Sequence, residues 1–234
     1  MRLAIMQPYF LPYIGYFSLF YHSDEFVFFD SPQYTKKSWY ERNRIIKING
    51  GSTYIKVPID KVKIGTSIND VKINNSQDWK GKIFSQLNIY RKAPYYKETI
   101  GILDTVFKNE YEYLYLLNID LIKAILSYLE LDKKIHIYSN MDLDIDEVKE
   151  PDEWALNISK AMDAKVYINS PGGASFFDKE KYNNENIVLK FIDQDLKEYK
   201  QLAEKFEPGL SIIDVLMHND KHEIVSMLNS SKLI

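Results

Sequence analysis

Three short segments of the chain combine polar, aromatic and glycine residues in patterns that favour binding of a phosphorylated ligand. The first runs from Gln7 to Tyr16 and contains two prolines, Tyr13 and Gly15. It lies between an apolar run and a helical pattern, so the N–H groups at a helix start would point at the ligand. Glycine in the first turn would let a flat nucleotide approach the backbone. We therefore predict that Gln7, Tyr13, Gly15 and Tyr16 bind a nucleotide.

A second segment, residues 30–43, follows the next predicted strand and carries amide, cationic and aromatic side chains. Arg42 can form a two-pronged bond to a phosphate or carboxylate, Lys36 can neutralise a phosphate, and Trp39 can stack on a sugar or base. A solvated basic loop is the alternative interpretation. The candidate binding residues in this segment are Gln33, Tyr34, Lys36 and Trp39, and Arg42 and Asn43 are candidate catalytic residues that would position a carboxylate or carbonyl.

A third segment, residues 169–175, reads Asn-Ser-Pro-Gly-Gly-Ala-Ser and follows another predicted strand. Such a turn exposes backbone N–H groups, which can hold an anion or a developing oxyanion. We select Ser170, Gly172 and Gly173 as candidates, although an ordinary turn would have the same composition.

A general base is the part of the chemistry that the sequence supplies least clearly. His218 and His222 have an i, i+4 spacing, but Asn219-Asp220 between them favours a helix break, so no metal site is predicted. We nominate His218, because a neutral imidazole can accept a proton near pH 7. Asp214 interrupts an apolar helical pattern, and it would either pair with Arg42 or Arg44 or face solvent.

Composition excludes several classes of protein. The 234 residues are 45% hydrophobic and 27% charged, which argues against disorder, and the absence of cysteine excludes disulfides and thiolate chemistry. No apolar run is long enough for a signal peptide or a membrane span, so we expect a cytoplasmic protein. A net charge of −3 argues against extensive contact with nucleic acid.

Hydrophobic periodicity predicts an α/β fold in one domain over residues 1–234. A parallel-type sheet is built from βαβ units, with an added β-hairpin around Asn49-Gly50 and a mainly helical insertion at about 76–130. The predicted strands are 2–7, 26–29, 45–48, 54–57, 62–64, 71–73, 135–138, 166–168 and 187–191. The predicted helices are 13–22, three within 76–130, and 152–162, 210–218 and 221–228.

These elements would bring the first two segments to one cleft, because the carboxyl ends of parallel strands meet at the same edge of a sheet. The aromatic residues of the first 40 positions then divide into two groups. Phe17, Phe20, Phe26 and Phe28 are predicted to form core, whereas Tyr13, Tyr16, Tyr34 and Trp39 are predicted to face the ligand.

Taken together, the motifs resemble the WbqC-like family of bacterial surface-polysaccharide clusters. They are Gln7-Pro-Tyr-Phe-Leu-Pro-Tyr-Ile-Gly-Tyr16, Asp30-x-x-Gln33-Tyr34-x-Lys36-Lys37-x-Trp39-x-x-Arg42-Asn43, Ser170-Pro-Gly-Gly173 and Leu210-Ser-Ile-Ile-Asp214. The resemblance implies a transferase that attaches a glycyl or small acyl group to a nucleotide-linked deoxyamino sugar in O-antigen, and hence lipopolysaccharide, biosynthesis. Its partners would be that sugar and glycine or an activated glycyl donor.

A second resemblance concerns mechanism. The order of strand, proline-rich loop, Tyr13-x-Gly15-Tyr16 and helix is similar to that of the His-x-Gly-His nucleotidylyltransferases, in which histidines stand where this chain has Tyr13 and Tyr16. It would imply ATP, with magnesium, as cofactor. The alternatives are therefore an adenylating enzyme acting on another acid and a non-catalytic binder of nucleotide-sugars. An aminoacyl-tRNA donor is also conceivable, although the negative net charge disfavours it.

Overall fold

A central sheet of six strands organises the chain, and the computed structural model describes all of residues 1–234. Its order is β5-β2-β1-β6-β7-β8, and the first five of these strands are parallel. The antiparallel pair β3-β4 forms a separate hairpin. The strands are β1 Arg2–Met6, β2 Glu25–Phe28, β3 Arg42–Ile46, β4 Ser52–Lys56, β5 Lys134–Ile137, β6 Val166–Asn169, β7 Val188–Asp193 and β8 Lys232–Leu233.

Eight helices surround the two sheets, and the side chains of Asp78, Asp178, Ser211 and Asp220 cap the starts of four of them. Ser211 and Asp220 accept bonds from the first-turn N–H groups of the last two helices, and Glu223 completes a capping box with Asp220. The helices are α1 Ile14–His22, α2 Trp79–Leu87, α3 Tyr96–Phe107, α4 Leu114–Tyr128, α5 Glu153–Ala161, α6 Lys179–Asn184, α7 Ile212–His218 and α8 Lys221–Asn229.

The two faces of the six-stranded sheet bury different cores, because side chains alternate across each strand. Ala4 of β1 belongs to the larger core, which includes α1, whereas Leu3 and Ile5 belong to the smaller core, which includes α5. Stacking of Phe20 on Phe26, with ring centroids 3.8 Å apart, fixes α1 against β2. The predicted core aromatics, Phe17, Phe20, Phe26 and Phe28, are fully buried.

The predicted α/β class, with a mostly parallel sheet and a hairpin, is confirmed. Some boundaries were wrong. Arg42 and Asn43 lie in β3 rather than in a loop, because β3 begins three residues earlier than the apolar pattern indicated. Residues 62–64 form no strand, and within residues 71–73 only Lys72 and Ile73 form bridges, each of them isolated. None of the helices is both long and apolar enough to cross a membrane.

Candidate functional site

The strand order places a topological switch point between β1 and β6. From β1 the chain proceeds to β2 on one side, whereas β6 lies on the other side of β1. In open α/β sheets a ligand binds at such a point, in the crevice outside the carboxyl ends of the strands. Two adjoining cavities occupy this position, and Met6 at the end of β1 lines both of them.

The larger cavity has a volume of about 610 Å³ and lies on the α5 side of the sheet. Aromatic faces and neutral amides line it, and no ionised side chain is among them. The hydroxyl of Tyr167 accepts a bond from Asn169 Nδ2 at 2.6 Å, which leaves the hydroxyl proton free for a ligand. The lining includes Gln7, Phe29, Gln33, Trp154, Tyr167, Asn169 and Phe176.

The smaller cavity, of about 290 Å³, lies on the α1 side. Trp39, 43% exposed, gives it an aromatic wall, and Tyr13 and Ser170 contribute hydroxyl groups. The lining again contains no ionised side chain. The remaining candidates on this cavity are Tyr16, Asn43 and Gly172.

The loop that separates the two cavities, residues 7–13, is held by buried polar side chains. Asn43 Nδ2 donates to the carbonyls of Phe10 (3.1 Å) and Leu11 (2.9 Å), and Ser211 Oγ donates to the same Leu11 carbonyl at 2.7 Å. Asn118 Nδ2 donates to the Pro8 carbonyl at 2.9 Å. Leu11 has φ +44°, which costs a non-glycine residue about 1–2 kcal/mol. These bonds keep the loop in a conformation that it would not adopt alone.

Tyrosine hydroxyls tie this loop to the end of β1 and remain protonated. Tyr16 donates to the backbone carbonyl of Gln7 at 2.8 Å, and Tyr9 donates to the Gln7 side chain at 3.1 Å. Burial raises the pKa of Tyr9 to about 12, and burial also raises the pKa of Tyr13 and, further, that of Tyr16. The three phenols can therefore donate hydrogen bonds at neutral pH but cannot act as bases.

The space beside Gly15 is filled by the ring of Tyr13. A Cβ at position 15 would lie 2.5 Å from three atoms of the Tyr13 ring, which folds back over the first turn of α1. The space that the sequence suggested for a flat nucleotide is occupied by this ring. Tyr13 also lines the smaller cavity.

The structure separates the candidates of the second segment. Gln33 lines the larger cavity and Trp39 and Asn43 the smaller, whereas Tyr34 is buried and Lys36 is exposed outside both. Desolvation and the neighbouring Glu41 raise the pKa of Tyr34.

Arg42, on β3, lines neither cavity. Its guanidinium lies 4.3 Å from the centre of the Tyr54 ring and donates to the Lys37 carbonyl at 2.6 Å. Its Nε is buried without a hydrogen-bond partner. It therefore faces the outer surface of the hairpin.

In the third segment, Ser170 and Gly172 line the smaller cavity. The N–H of Gly173 donates to the Ser170 carbonyl at 3.0 Å and so is not free for a ligand, whereas the N–H of Gly172 has no backbone acceptor. Gly173 packs against Phe177, since a Cβ there would lie 2.9 Å from its ring.

His218 lies away from both cavities, in a buried polar cluster around Asp214. Asp214 accepts hydrogen bonds from Tyr90 (2.8 Å), Tyr199 (2.7 Å) and Gln201 (2.7 Å). His218 Nδ1 lies 2.7 Å from the Asp214 carbonyl, and its Nε2 is buried without a partner. The expected pairing of Asp214 with Arg42 or Arg44, or its exposure, was therefore wrong, because Asp214 is fully buried and its carboxylate accepts hydrogen bonds from tyrosine and glutamine side chains instead.

Sequence reasoning missed the aromatic half of the larger cavity. Two of the missed residues could have been found from the sequence. Tyr167 lies within the predicted strand 166–168, and Asn169 directly follows it, at the carboxyl end where ligands bind in such sheets. Trp154 and Phe176 come from a helix start and an irregular turn, whose side chains no periodicity assigns to a cavity.

A third depression, of about 530 Å³, lies between the end of α4 and the start of β5. Ionised side chains such as Glu130 and Lys133 line it, and it precedes β5. It is therefore at the amino ends of the strands, opposite the edge where ligands bind in such sheets.

Comparison with known proteins extends over nearly the whole chain. The chain is 32% identical over 221 residues to the uncharacterized protein Rv1507c of Mycobacterium tuberculosis, an alignment that covers 93% of each protein. No solved structure matches significantly. The model of the WbqC-like protein family matches residues 7–226, which contain every candidate described above. The chain belongs to the WbqC-like protein family.

Proposed function

We propose that this chain is a transferase that forms an amide, attaching a glycyl or similarly small acyl group to the amine of a nucleotide-linked deoxyamino sugar. The observation that carries the proposal is the pair of adjoining cavities around Met6, whose linings are aromatic and amide in character. A reaction that joins two molecules needs two neighbouring binding sites, held so that the reacting atoms meet.

The chemistry of the larger cavity suits the nucleotide-sugar. Trp154 and Phe29, whose ring centroids lie 5.5 Å apart, offer apolar faces to a base or sugar ring. Gln33 and the free proton of Tyr167 offer hydrogen bonds to hydroxyl groups. Neutral donors and acceptors discriminate between sugars without the desolvation cost of an ionised group.

The smaller cavity suits the acyl group. Tyr13 and the free N–H of Gly172 are donors that could stabilise a negative charge developing on the carbonyl oxygen. Trp39 would cover the acyl chain, and Asn43 acts by fixing the loop between the two cavities. Arg42, Lys36 and His218 have no assigned contact in this scheme, since none of them lines a cavity.

The alternatives are an ATP-dependent adenylating enzyme and a non-catalytic binder of nucleotide-sugars. Adenylation with ATP and magnesium would be expected to use carboxylates that hold the metal beside the phosphates, and neither lining contains one. This observation favours transfer from a donor that arrives already activated.

Incubation with dTDP- or UDP-linked 4-amino sugars and glycyl donors, followed by mass spectrometry for the glycyl adduct, tests the proposal. Thermal-shift measurements with the same sugars test binding separately. Gln33→Leu should abolish stabilisation by the sugar, whereas Gln77→Leu, an exposed glutamine remote from both cavities, should leave it unchanged. Stabilisation without an adduct from any donor would favour the non-catalytic binder, and no stabilisation by any sugar would remove the proposal.

A further inference from the structure

The charge of the chain is distributed very unevenly. Residues 31–67 contain eight lysines and arginines but only Glu41 and Asp60 as carboxylates, a net charge of +6 in a chain whose total is −3. Glu41 is buried, and seven of the eight cations form no ion pair. The exception is Arg44, whose Nη1 lies 3.9 Å from Glu207. The average charge therefore conceals a strongly basic surface.

The register of the hairpin places much of this charge on one face. Arg42 is opposite Lys56, and Arg44 is opposite Tyr54, so these four side chains share the outer face of β3-β4. The opposite face carries Asn43, Ile45 and Ile55, which are buried. The part of the hairpin around Arg42 and Lys56 is thus apolar inward and basic outward, whereas Ile46, farther along the outer face, is buried.

Two loops extend the basic face. The Lys37 carbonyl accepts the bond from Arg42, which holds the Lys36-Lys37 loop beside the hairpin. The N–H of Tyr34 donates to the Thr66 carbonyl at 2.8 Å, which brings the loop containing Lys61 and Lys63 next to the same segment.

The basic face is continuous with the smaller cavity. Trp39 lines that cavity and belongs to the loop that carries Lys36 and Lys37. Arg44 donates to the carbonyl of Gly209, which also lines the cavity, at 3.1 Å. A polyanion lying on the hairpin would therefore reach the proposed acyl site with one end.

We infer that the acyl donor is an aminoacyl ester carried on RNA, and that the outer face of β3-β4 with its two flanking loops is the RNA-binding surface. The inference rests on the proposed function. Unpaired cations bind phosphates, while the half-exposed rings of Trp39 and Tyr54 and the guanidinium stacked on Tyr54 offer flat surfaces to unpaired bases. An ester donor also explains why neither cavity carries the charges that would activate an acid.

The reaction balances without a further reagent. The amine nitrogen of the sugar attacks the ester carbonyl, a C–N bond forms, and the C–O bond to the ribose breaks. The proton lost by the amine goes to the departing ribose oxygen, so the products are the amide and RNA with a free hydroxyl. No protein base is needed for the overall transfer, consistent with the protonated state of Tyr9, Tyr13 and Tyr16.

Binding of deacylated tRNA to the full chain, measured by fluorescence anisotropy against salt, tests the surface. A surface that contacts six phosphates should lose affinity by roughly 10³-fold between 50 and 200 mM salt. The triple variant Lys37→Asn, Lys56→Gln, Lys63→Gln should reduce the slope of log affinity against log salt by about three. Asparagine is chosen at position 37 because φ there is +58°.

The matched control is Lys92→Gln, Lys97→Gln, Lys123→Gln, which removes the same charge from exposed lysines without ion pairs elsewhere. It should leave the slope unchanged, and both triple variants should keep their stabilisation by nucleotide-sugar. Glycyl-tRNA should then supply the glycyl adduct.

Three binding results would overturn the inference: no tRNA binding at 50 mM salt, equal losses in the two triple variants, or preferential binding to vesicles of acidic phospholipid. The vesicles are included because Ile64, beside Lys63, is 99% exposed and would suit insertion into lipid. An adduct formed from glycine and ATP without RNA would also overturn it while leaving the proposed function intact. If no nucleotide-sugar stabilised the unmodified chain in the thermal-shift assay, the proposed function itself would be wrong.

Discussion

Replacement of Gly15 by alanine should separate the stability of the chain from its ability to bind ligand. In a helix interior, alanine is favoured over glycine by about 0.8–1.0 kcal/mol, and less near a helix start. The new Cβ would lie 2.5 Å from the Tyr13 ring, whereas ordinary contact begins at 3.4 Å, so the end of the ring must retreat by about 0.9 Å. We therefore expect unchanged or slightly raised stability, together with a displaced wall of the smaller cavity.

The effect of Gly15→Ala on acyl transfer follows from the position of Tyr13 in the lining of the smaller cavity. A displacement of about 1 Å at a positioned group can reduce catalytic efficiency by up to roughly 10²-fold. We expect the acyl transfer of Gly15→Ala to fall by about ten- to a hundredfold. Urea unfolding gives the stability, and the glycyl-transfer assay gives the activity.

Gly101 provides the matched control, because it lies in the middle of α3 and a Cβ there meets nothing within 4 Å. Gly101→Ala should raise the free energy of unfolding by about 0.8–1.0 kcal/mol, or about 2–4 °C in Tm, with unchanged activity. In a Tyr13→Ala background, Gly15→Ala should have no further effect on activity. Full activity of Gly15→Ala in the unmodified chain would refute the assignment of Tyr13 to the site.

The buried cluster and the charged surface give the remaining predictions. Asp214→Ala should lower the free energy of unfolding by about 3 kcal/mol or more, measured in urea, since three donors lose their acceptor at about 1 kcal/mol or more each; an unchanged midpoint would contradict this. Hydrogen bonds from the Lys149 N–H, the Lys181 side chain and the Glu150 N–H lower the pKa of Glu153 from 4.5 to about 2, so its stabilisation is present above pH 4.5 and is lost as the pH falls towards 2. Glu153→Gln should flatten stability against pH in that window, and an identical acid profile would refute the role of the carboxylate. Asp24→Asn should cost less than about 1 kcal/mol in the same unfolding assay, because the Arg2–Asp24 pair is half-exposed.

Local pattern was sufficient for most of the fold and for the edge of the sheet that carries the site. The alternation around Asn49-Gly50 predicted the hairpin, and the βαβ order of residues 2–29 placed Gln7 beyond β1. α6 was missed because Tyr182 is its only buried residue, so residues 179–184 have no apolar period.

Side-chain partners were harder to predict than elements. Asp214 is bound to Tyr90, 124 residues away, and no local pattern reports such a contact. Arg42 and Lys36 had the residue types expected of a phosphate site, yet the extra length of β3 turns Arg42 to the outer face. Residue type indicated the chemistry, whereas register decided where that chemistry could act.

The hydrogen bonds from Asn43 and Ser211 to the Leu11 carbonyl also affect the order in which parts of the chain can fold. Ser211 lies 200 residues after Leu11, and the N–H of Ile212 donates to the Pro12 carbonyl at 2.9 Å. Contacts so distant along the chain form slowly, because a long loop must first be closed. During synthesis, a nascent chain that has emerged as far as β7 already contains the residues of both cavities apart from Gly209, but lacks Ser211 and Ile212. The polypeptide can therefore acquire its binding geometry only after Ser211 and Ile212 have been synthesised.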